Sequence, residues 1–546
     1  MSRGVSSKIT FKRYDQSERW LLPPSLEELV PENHLVRVVS ATVDKIELKA
    51  LFKAYSTGGG ASRYHPQMLL KVLIYCYLTG CYSSRQIAKQ CRENVNVMWL
   101  AANQKPDFRT INAFRGERLK SVIEEVFTAT VKLLYEKGYV KLEKYFVDGT
   151  KIESAANKYT FVWKGSVEKY EKKLDEKVRE LIKEINTIAE QENEIYGDKD
   201  LEELGEGAEV TSKEIKAVAQ KINNKLEALA ENSETKAKTV KKKLEKAKKE
   251  LETELLPRKE KYEGYNATFN GRNSFSKTDH DATFMRMKED AMKNGQLKPG
   301  YNVQVGNENT FAIGYDIFAD AADMRTLPVH IDNVQKRLEH TFEMVIADAG
   351  YGSEENYEYL ERNGSVALVK YGSYHQQRKK SFKKKIFNSE NWDYDSEQKA
   401  YTCPAGNRVP YVKTVTKETK NGYTHTIDIY QCHNCEGCPL REKCTKAKEG
   451  RTVQRNEKWL AQKKQVNERL DKEENKKIMK RRSVECETVF GQIKGNQRFR
   501  RFYLRGREKV GVEIALLLLG YNIKNLMRKE QEKKAAIRGD KSRVIP

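Results

Sequence analysis

The sequence predicts an α/β fold: a mixed sheet flanked by helices, with a helical N-terminal unit, an inserted coiled-coil arm and a small β-rich insertion. Three observations lead there. Short runs rich in β-branched and aromatic residues alternate with helical stretches. Apolar residues at four–three spacing fill 174–188 and recur along 215–251, the seam of a coiled coil. Alternating segments flank Asn421-Gly422, a strong short hairpin signal.

In chain order, residues 1–142 read as helical. Leu69-Leu-Lys-Val-Leu-Ile-Tyr-Cys-Tyr-Leu78 is an apolar helix with Pro66 in its first turn. Ser83 or Ser84 suits the cap of the next helix, which starts at Arg85. Another helix starts near Pro106. Short helices and polar turns bearing Arg85, Lys89, Arg109 and Arg115 on their outer face suit a helix-turn-helix-like reader of DNA; a plain helical bundle is the alternative. Residues 143–165 and 258–370 carry the strands, namely 144–148, 301–305, 312–318, 344–348 and 366–369, with helices at 328–338 and 354–363 between them.

The arm, 166–257, has two apolar stripes. Leu174, Val178, Leu181, Ile185 and Ile188 form one, and Ile215, Ile222, Leu226, Leu229, Val240, Leu244, Ala247 and Leu251 the other. A Gly- and Asp-rich loop, 197–207, joins them. Thr211 and Glu214 are spaced as a capping box, and Pro257 stops the second stripe, so an antiparallel helical hairpin is expected. Residues 371–456 form the β-rich insertion. Residues 457–546 are helices completing the sheet domain, with a buried helix over about 508–527.

A chain of 546 residues exceeds what one core serves, so two to four domains are expected. A net charge of +23 points to a polyanion, most simply nucleic acid; a lysine-rich solvated surface is the bland alternative. No apolar run reaches the roughly 18–20 residues that span a bilayer, and residues 1–7 lack the apolar core of a secretory signal. A cytoplasmic protein without a membrane partner is expected.

Three acidic residues carry the chemistry. Asp148 and Asp348 end apolar strands, and Glu487 sits on a helix. Carboxylates suit Mg²⁺ (or Mn²⁺), and paired ions stabilise the attacking and leaving oxygens of phosphodiester chemistry. A lone Asp at a strand end is usually structural; the order Asp, Asp, Glu on strand, strand and helix is not. With the arm removed, the strand order is ribonuclease-H-like, in which the first and fourth strands are neighbours and Asp148 meets Asp348.

These phrases resemble those of the DDE transposases of bacterial insertion sequences: Val147-Asp-Gly-Thr-Lys-Ile-Glu153, Pro299-Gly-Tyr-Asn-Val-Gln304, Ala347-Asp-Ala-Gly-Tyr-Gly352 and Val489-Phe-Gly-Gln-Ile-Lys494. The stretch around Tyr64-His-Pro-Gln-Met-Leu-Leu-Lys71 and Ser83-Ser-Arg-Gln-Ile87 is similar to the family's helical leader. The resemblance implies Asp148, Asp348 and Glu487 as the Mg²⁺-binding triad. It implies Lys494 on a phosphate; a plain helix-surface lysine is the alternative. At 100° per residue, Lys480, Phe490 and Lys494 lie within about 60° of Glu487, whereas Glu485 faces the side of Val489 and Ile493. The family's pattern places a Tyr and an Arg upstream; Lys480 and Ser483 stand there, leaving Arg481 or Arg482 to supply the charge.

Cys432-x₂-Cys435-x₂-Cys438-x₅-Cys444, with Cys403 as an alternate ligand, suits structural Zn²⁺; unmetallated thiols, a redox pair or an iron–sulfur cluster are the alternatives. Arg498, Arg500, Arg501 and Arg505, interleaved with Phe499, Phe502 and Tyr503, suit phosphate and base contacts. The expected activity is Mg-dependent cleavage at the terminal inverted repeats and strand transfer into target double-stranded DNA. The expected assembly is a homodimer or larger, nucleoid-associated. An inactive transposase-derived DNA-binding protein, or a ribonuclease-H-like nuclease without strand transfer, is the alternative.

Overall fold

The computed structural model describes residues 25–53, 55, 63–196, 210–228, 235–287, 296–419 and 421–538. Its first eight strands are β1 (Lys144–Glu153), β2 (Phe161–Trp163), β3 (Ser274–Ser276), β4 (Thr283–Arg286), β5 (Leu297–Glu308), β6 (Phe311–Phe318), β7 (Met344–Gly352) and β8 (Val366–Tyr371). β2 and β3 form a separate ribbon. The other six make one mixed sheet in the order β4-β5-β1-β7-β8, with β6 sharing the outer edge of β5 with β4. β5 runs antiparallel to its neighbours, while β1, β7 and β8 are parallel.

That parallel centre explains the unbroken apolar runs. Tyr145, Phe146 and Val147, and Val345, Ile346 and Ala347, are buried because both faces of the sheet are covered. Pairing of β1 with β7 sets Lys144 opposite Met344 and Phe146 opposite Ile346, and stops there. Asp148 and Asp348, two residues further along each strand, therefore leave the sheet at one level. The carboxyl ends of parallel strands are where open α/β sheets bind ligands.

One apolar core runs from the N-terminal helices to the sheet. Its link is the last helix, Arg507–Arg538, which packs against Pro66–Leu78 and β6. Val510, Val512 and Ile514 to Leu519 are wholly buried in it. It is the one helix among the described residues long and apolar enough to cross a membrane, and its apolar stretch is spent on this packing.

The arm departs from the expected two-helix hairpin. Helix Lys164–Tyr196 runs out; Ser212–Ala228 and Thr235–Glu250 are separate helices that pack together, so three helices share the apolar cluster of Leu174, Val178, Ile215, Ile222, Leu244 and Leu251. The capping box is present: Thr211 N–H donates to Glu214 Oε2 (2.8 Å) and Glu214 N–H to Thr211 Oγ1 (3.3 Å). Pro257 does not stop the helix. A wide five-residue turn, Leu251–Leu255, opens the backbone just before it, and the chain continues as Leu256–Phe269. Widening removes the clash between a proline ring and the preceding turn's carbonyl. Loop 197–207, the side chain of Ile188 and Leu229 lie outside the described residues.

The β-rich insertion is an antiparallel sheet in the order β13-β12-β11-β10-β9, built from β9 (Asp393–Asp395), β10 (Ala400–Thr402), β11 (Arg408–Glu418), β12 (Thr424–Gln431) and β13 (Thr452–Arg455). Asn421-Gly422 turns the β11–β12 hairpin, Gly422 at φ +79°. The tip docks on helix Glu354–Arg362, where Tyr423 donates to Glu358 at 2.7 Å.

Candidate active site at the carboxyl ends of the central strands

Each aspartate is held by the backbone that follows it. Asp148 Oδ1 accepts the Gly149 N–H and Asp348 Oδ1 the Gly350 N–H, both at 2.8 Å. The Asp148 side chain is 14% exposed, open enough to meet a ligand from solvent. Gly149 has no room for a side chain: a Cβ there would lie 2.5 Å from Asp323 Oδ1 and closer still to Gln304.

Asp323 is an acidic neighbour that sequence reasoning missed. It opens the short helix Asp323–Arg325 after β6. Its Oδ1 accepts from Asn302 Nδ2 (2.8 Å) and Gln304 Nε2 (2.9 Å), both wholly buried on β5, and Gln304 Oε1 accepts from Tyr351. The phrases around Asn302–Gln304 and Tyr351 thus build one polar layer under the aspartates. Burial pushes the Tyr351 phenol well up, and the carboxylates of Asp323, Asp148 and Asp348 reinforce the shift, which places all three around one ring. Two polar residues two apart in an otherwise apolar strand were the available signal, because buried amides need partners. Gln304→Ala, which strips a partner from both Tyr351 and Asp323, is expected to cost about 1–3 kcal/mol in denaturant unfolding.

Helix Glu473–Phe490 crosses β1, β5 and β7. Glu485 is buried, accepting from Thr310 N–H (2.5 Å) and Arg481 Nη2 (2.6 Å). Arg481 is thereby engaged, and Arg482 is the cation at the site, its Nη1 3.5 Å from Asp148 Oδ2. Cys486 lies against Asp148: burial pushes its thiol up and the Asp148 charge adds to the shift. Glu487, next along, is exposed, and among the described residues its carboxylate has no hydrogen-bond or ion-pair partner.

Lys494 is not a helix-surface lysine. It is nine-tenths buried and donates to the Lys151 carbonyl at 3.0 Å, clamping the end of this helix to β1. The reason is the wide turn Gly491–Asn496, which rolls the side chain inward.

Beyond β1 lies the arginine-rich stretch. Phe502 N–H donates to the Glu153 carbonyl and Glu153 N–H to that of Arg500, so the stretch runs beside the strand's end. Phe499 and Phe502 are core residues, leaving Tyr503, 51% exposed, as the aromatic open to solvent there. Arg501 donates to the carbonyls of Ser154 and Ala156 and Arg505 to that of Ala155, while Arg498 and Arg500 are exposed.

In the N-terminal helices, Arg85 and Arg109 are exposed, the Arg85 guanidinium 4.3 Å over the Phe108 ring. Arg115 is a correction. It is 2% exposed, donating to Tyr77 (2.7 Å), the Tyr82 carbonyl (2.6 Å) and Ser84 Oγ (3.1 Å). It sits in a wide turn, Phe114–Arg118, packed under the last helix, where no DNA can reach it.

Cys403, Cys432, Cys435, Cys438 and Cys444 line one small cavity as free thiols. Among the described residues no three or more His, Cys, Asp or Glu side chains are set at metal-holding geometry, here or at the aspartates.

A family model described as a transposase DDE domain matches residues 402–527, and one described as a transposase domain, DUF772, matches 24–117. The chain belongs to the insertion-sequence DDE transposases. In this transposase the first match spans Glu487, Lys494 and the arginine-rich stretch, and the second the N-terminal helices; Asp148, Asp323 and Asp348 lie between them. No curated protein and no solved structure matches the transposase.

Proposed function

We propose that this transposase hydrolyses a phosphodiester at each end of its element and joins the freed 3′-hydroxyl to target DNA. The observation that carries the reading is that Asp148 and Asp348 end adjacent parallel strands at one level. We read the sheet as ribonuclease-H-like: β6, β5, β1, β7 and β8 are in the expected order, with the second strand antiparallel to the first. On this reading residues 1–142 bind DNA, 143–165, 258–370 and 457–546 make the catalytic core, 166–257 the arm and 371–456 the insertion. The working form is a dimer or larger, since two ends meet one target.

In the first step water attacks phosphorus, and the 3′-oxygen leaves with a proton. In the second that 3′-hydroxyl attacks a target phosphodiester, exchanging one bond for another. Asp148, Asp348 and Glu487 are the residues that would hold Mg²⁺ or Mn²⁺. Backbone N–H groups orient the aspartates, and Glu487 has its carboxylate uncommitted. Bound there, the divalent ion supplies a Lewis acid for the water and the phosphoryl oxygens. Arg482 balances charge at Asp148, and Arg498, Arg500 and Tyr503 face the strand beyond it. Asp323 has one oxygen already accepting from two amides, which suits positioning better than metal binding.

The test uses duplexes of the element's ends with Mg²⁺, Mn²⁺ or EDTA, and pre-cut ends with a target plasmid. Metal-dependent nicking and joining are expected; no nicking in either metal sinks the reading, and nicking without joining favours a plain nuclease. Glu487→Gln is expected to lose at least about a hundredfold in nicking, near 3 kcal/mol. Asp323→Asn should lose less rate and more stability. The reverse ranking would hand the third place to Asp323.

A further inference from the structure

We propose that Cys403, Cys432, Cys435 and Cys444 form a structural zinc site that staples the β-rich insertion, with Cys438 outside the ligand set. This stands apart from the acidic site. The insertion needs a staple. Its five strands close over a core of Trp392, Tyr401, Val409, Tyr430, Cys432 and Val453, and most of β11 is exposed. So small a core rarely holds a unit of this size without a metal or a cross-link.

The four sulfurs come from separate stretches. Cys403 starts the turn after β10, its N–H donating to the Asn407 carbonyl. Cys432 follows β12 directly and is tied to the Arg451 carbonyl; Cys435 lies one turn on; Cys444 ends the short helix Arg441–Cys444. A shared ion would therefore link the β10–β11 turn to the β12–β13 connection. Cys432 is in the aromatic core and Cys403, Cys435 and Cys444 pack against it, whereas Cys438 lines the cavity without joining that packing. The cavity is about 20 Å³, the scale of one small occupant.

Two further features suit a charged tetrathiolate. Arg451 N–H donates to Cys435 Sγ at 3.4 Å, the kind of backbone bond that steadies a metal-bound sulfur. The approach requires Gly450, at φ +95°, since a Cβ there would lie 3.2 Å from that sulfur and collide with the Cys432 carbonyl. Four thiolates around Zn²⁺ carry a net double negative charge. Two guanidiniums are fixed at the rim, Arg441 on the Cys435 carbonyl (3.2 Å) and Arg451 on that of Cys444 (3.4 Å). Loading turns the cysteine χ1 torsions inward and releases one proton per thiol.

The experiment measures metal in the purified full chain by plasma mass spectrometry. One zinc per chain is expected for the native protein and for Cys438→Ser, and less than about a tenth of that for Cys403→Ser and Cys444→Ser. Because a ligand variant can fail to fold, the native chain is also titrated with an organomercurial, and zinc release is followed with a coloured chelator. Release in step with thiol modification supports the site. A metal-free native chain, iron with visible absorbance, or zinc kept by Cys403→Ser but lost by Cys438→Ser each overturns it.

Discussion

Asp348→Asn is expected to cut strand cleavage at least about a thousandfold, near 4 kcal/mol of barrier, without disturbing the fold. Asparagine has the same shape, and its amide oxygen still accepts the Gly350 N–H that holds Asp348 at 2.8 Å. What vanishes is the negative charge, which is what a divalent ion binds and what an amide does not replace. Asp148→Asn should behave alike in rate, with one difference: it also releases Arg482, now 3.5 Å from the carboxylate. Single-turnover cleavage of a labelled end duplex in Mg²⁺ reads the rate. Gel shift and thermal melting check that binding and folding persist. Cleavage within about tenfold of the native rate, near 1.4 kcal/mol, would remove Asp348 from the chemistry.

What was legible depended on whether a residue's partner was close in sequence or written in a period. Asp148 and Asp348 were readable because each ends an apolar run with strand character, and strand adjacency then did the rest. Glu485 and Glu487 separated correctly by helical angle, one buried and one exposed. Asp323 was not readable, since it lies among Ala319-Asp-Ala-Ala-Asp-Met-Arg325, where neither period applies and Asp320 competes with it. Its role depends on Asn302 and Gln304, whose amides reveal themselves only when β5 is seen buried. Pro257 and Lys494 were misjudged for one reason: wide turns at 251–255 and 491–496 rotate everything after them relative to a regular helix. Arg115 was misjudged because its ionic partner, Glu513, lies near the far end of the chain.

That same buried pair carries the second large effect: Glu513→Ala is expected to cost about 3–5 kcal/mol. Glu513 is wholly buried on the last helix, and burial pushes its carboxyl up from the ordinary range. Its Oε1 accepts from Tyr77 at 2.7 Å, a partner 436 positions away, and its Oε2 accepts the N–H groups of Tyr503 and Leu504, each at 2.9 Å. Arg115 Nη1 lies 3.9 Å from it. Removing the carboxylate leaves a guanidinium, a phenol and two backbone donors buried without it, and each such loss is costly. The damage has a direction. Tyr503 and Leu504 belong to the arginine-rich stretch, so the variant should free that stretch from the N-terminal helices before the sheet is lost. Limited proteolysis should cut first near 498–505, and denaturant unfolding should give the stability change. Arg115→Met should be destabilising alone, yet the double variant should cost clearly less than the two added, because both act on one network. Strict additivity, or a Glu513→Ala cost below about 0.5 kcal/mol, would mean that the apolar packing of Arg507–Arg538 alone holds the N-terminal helices to the sheet, and that the buried charges merely ride along.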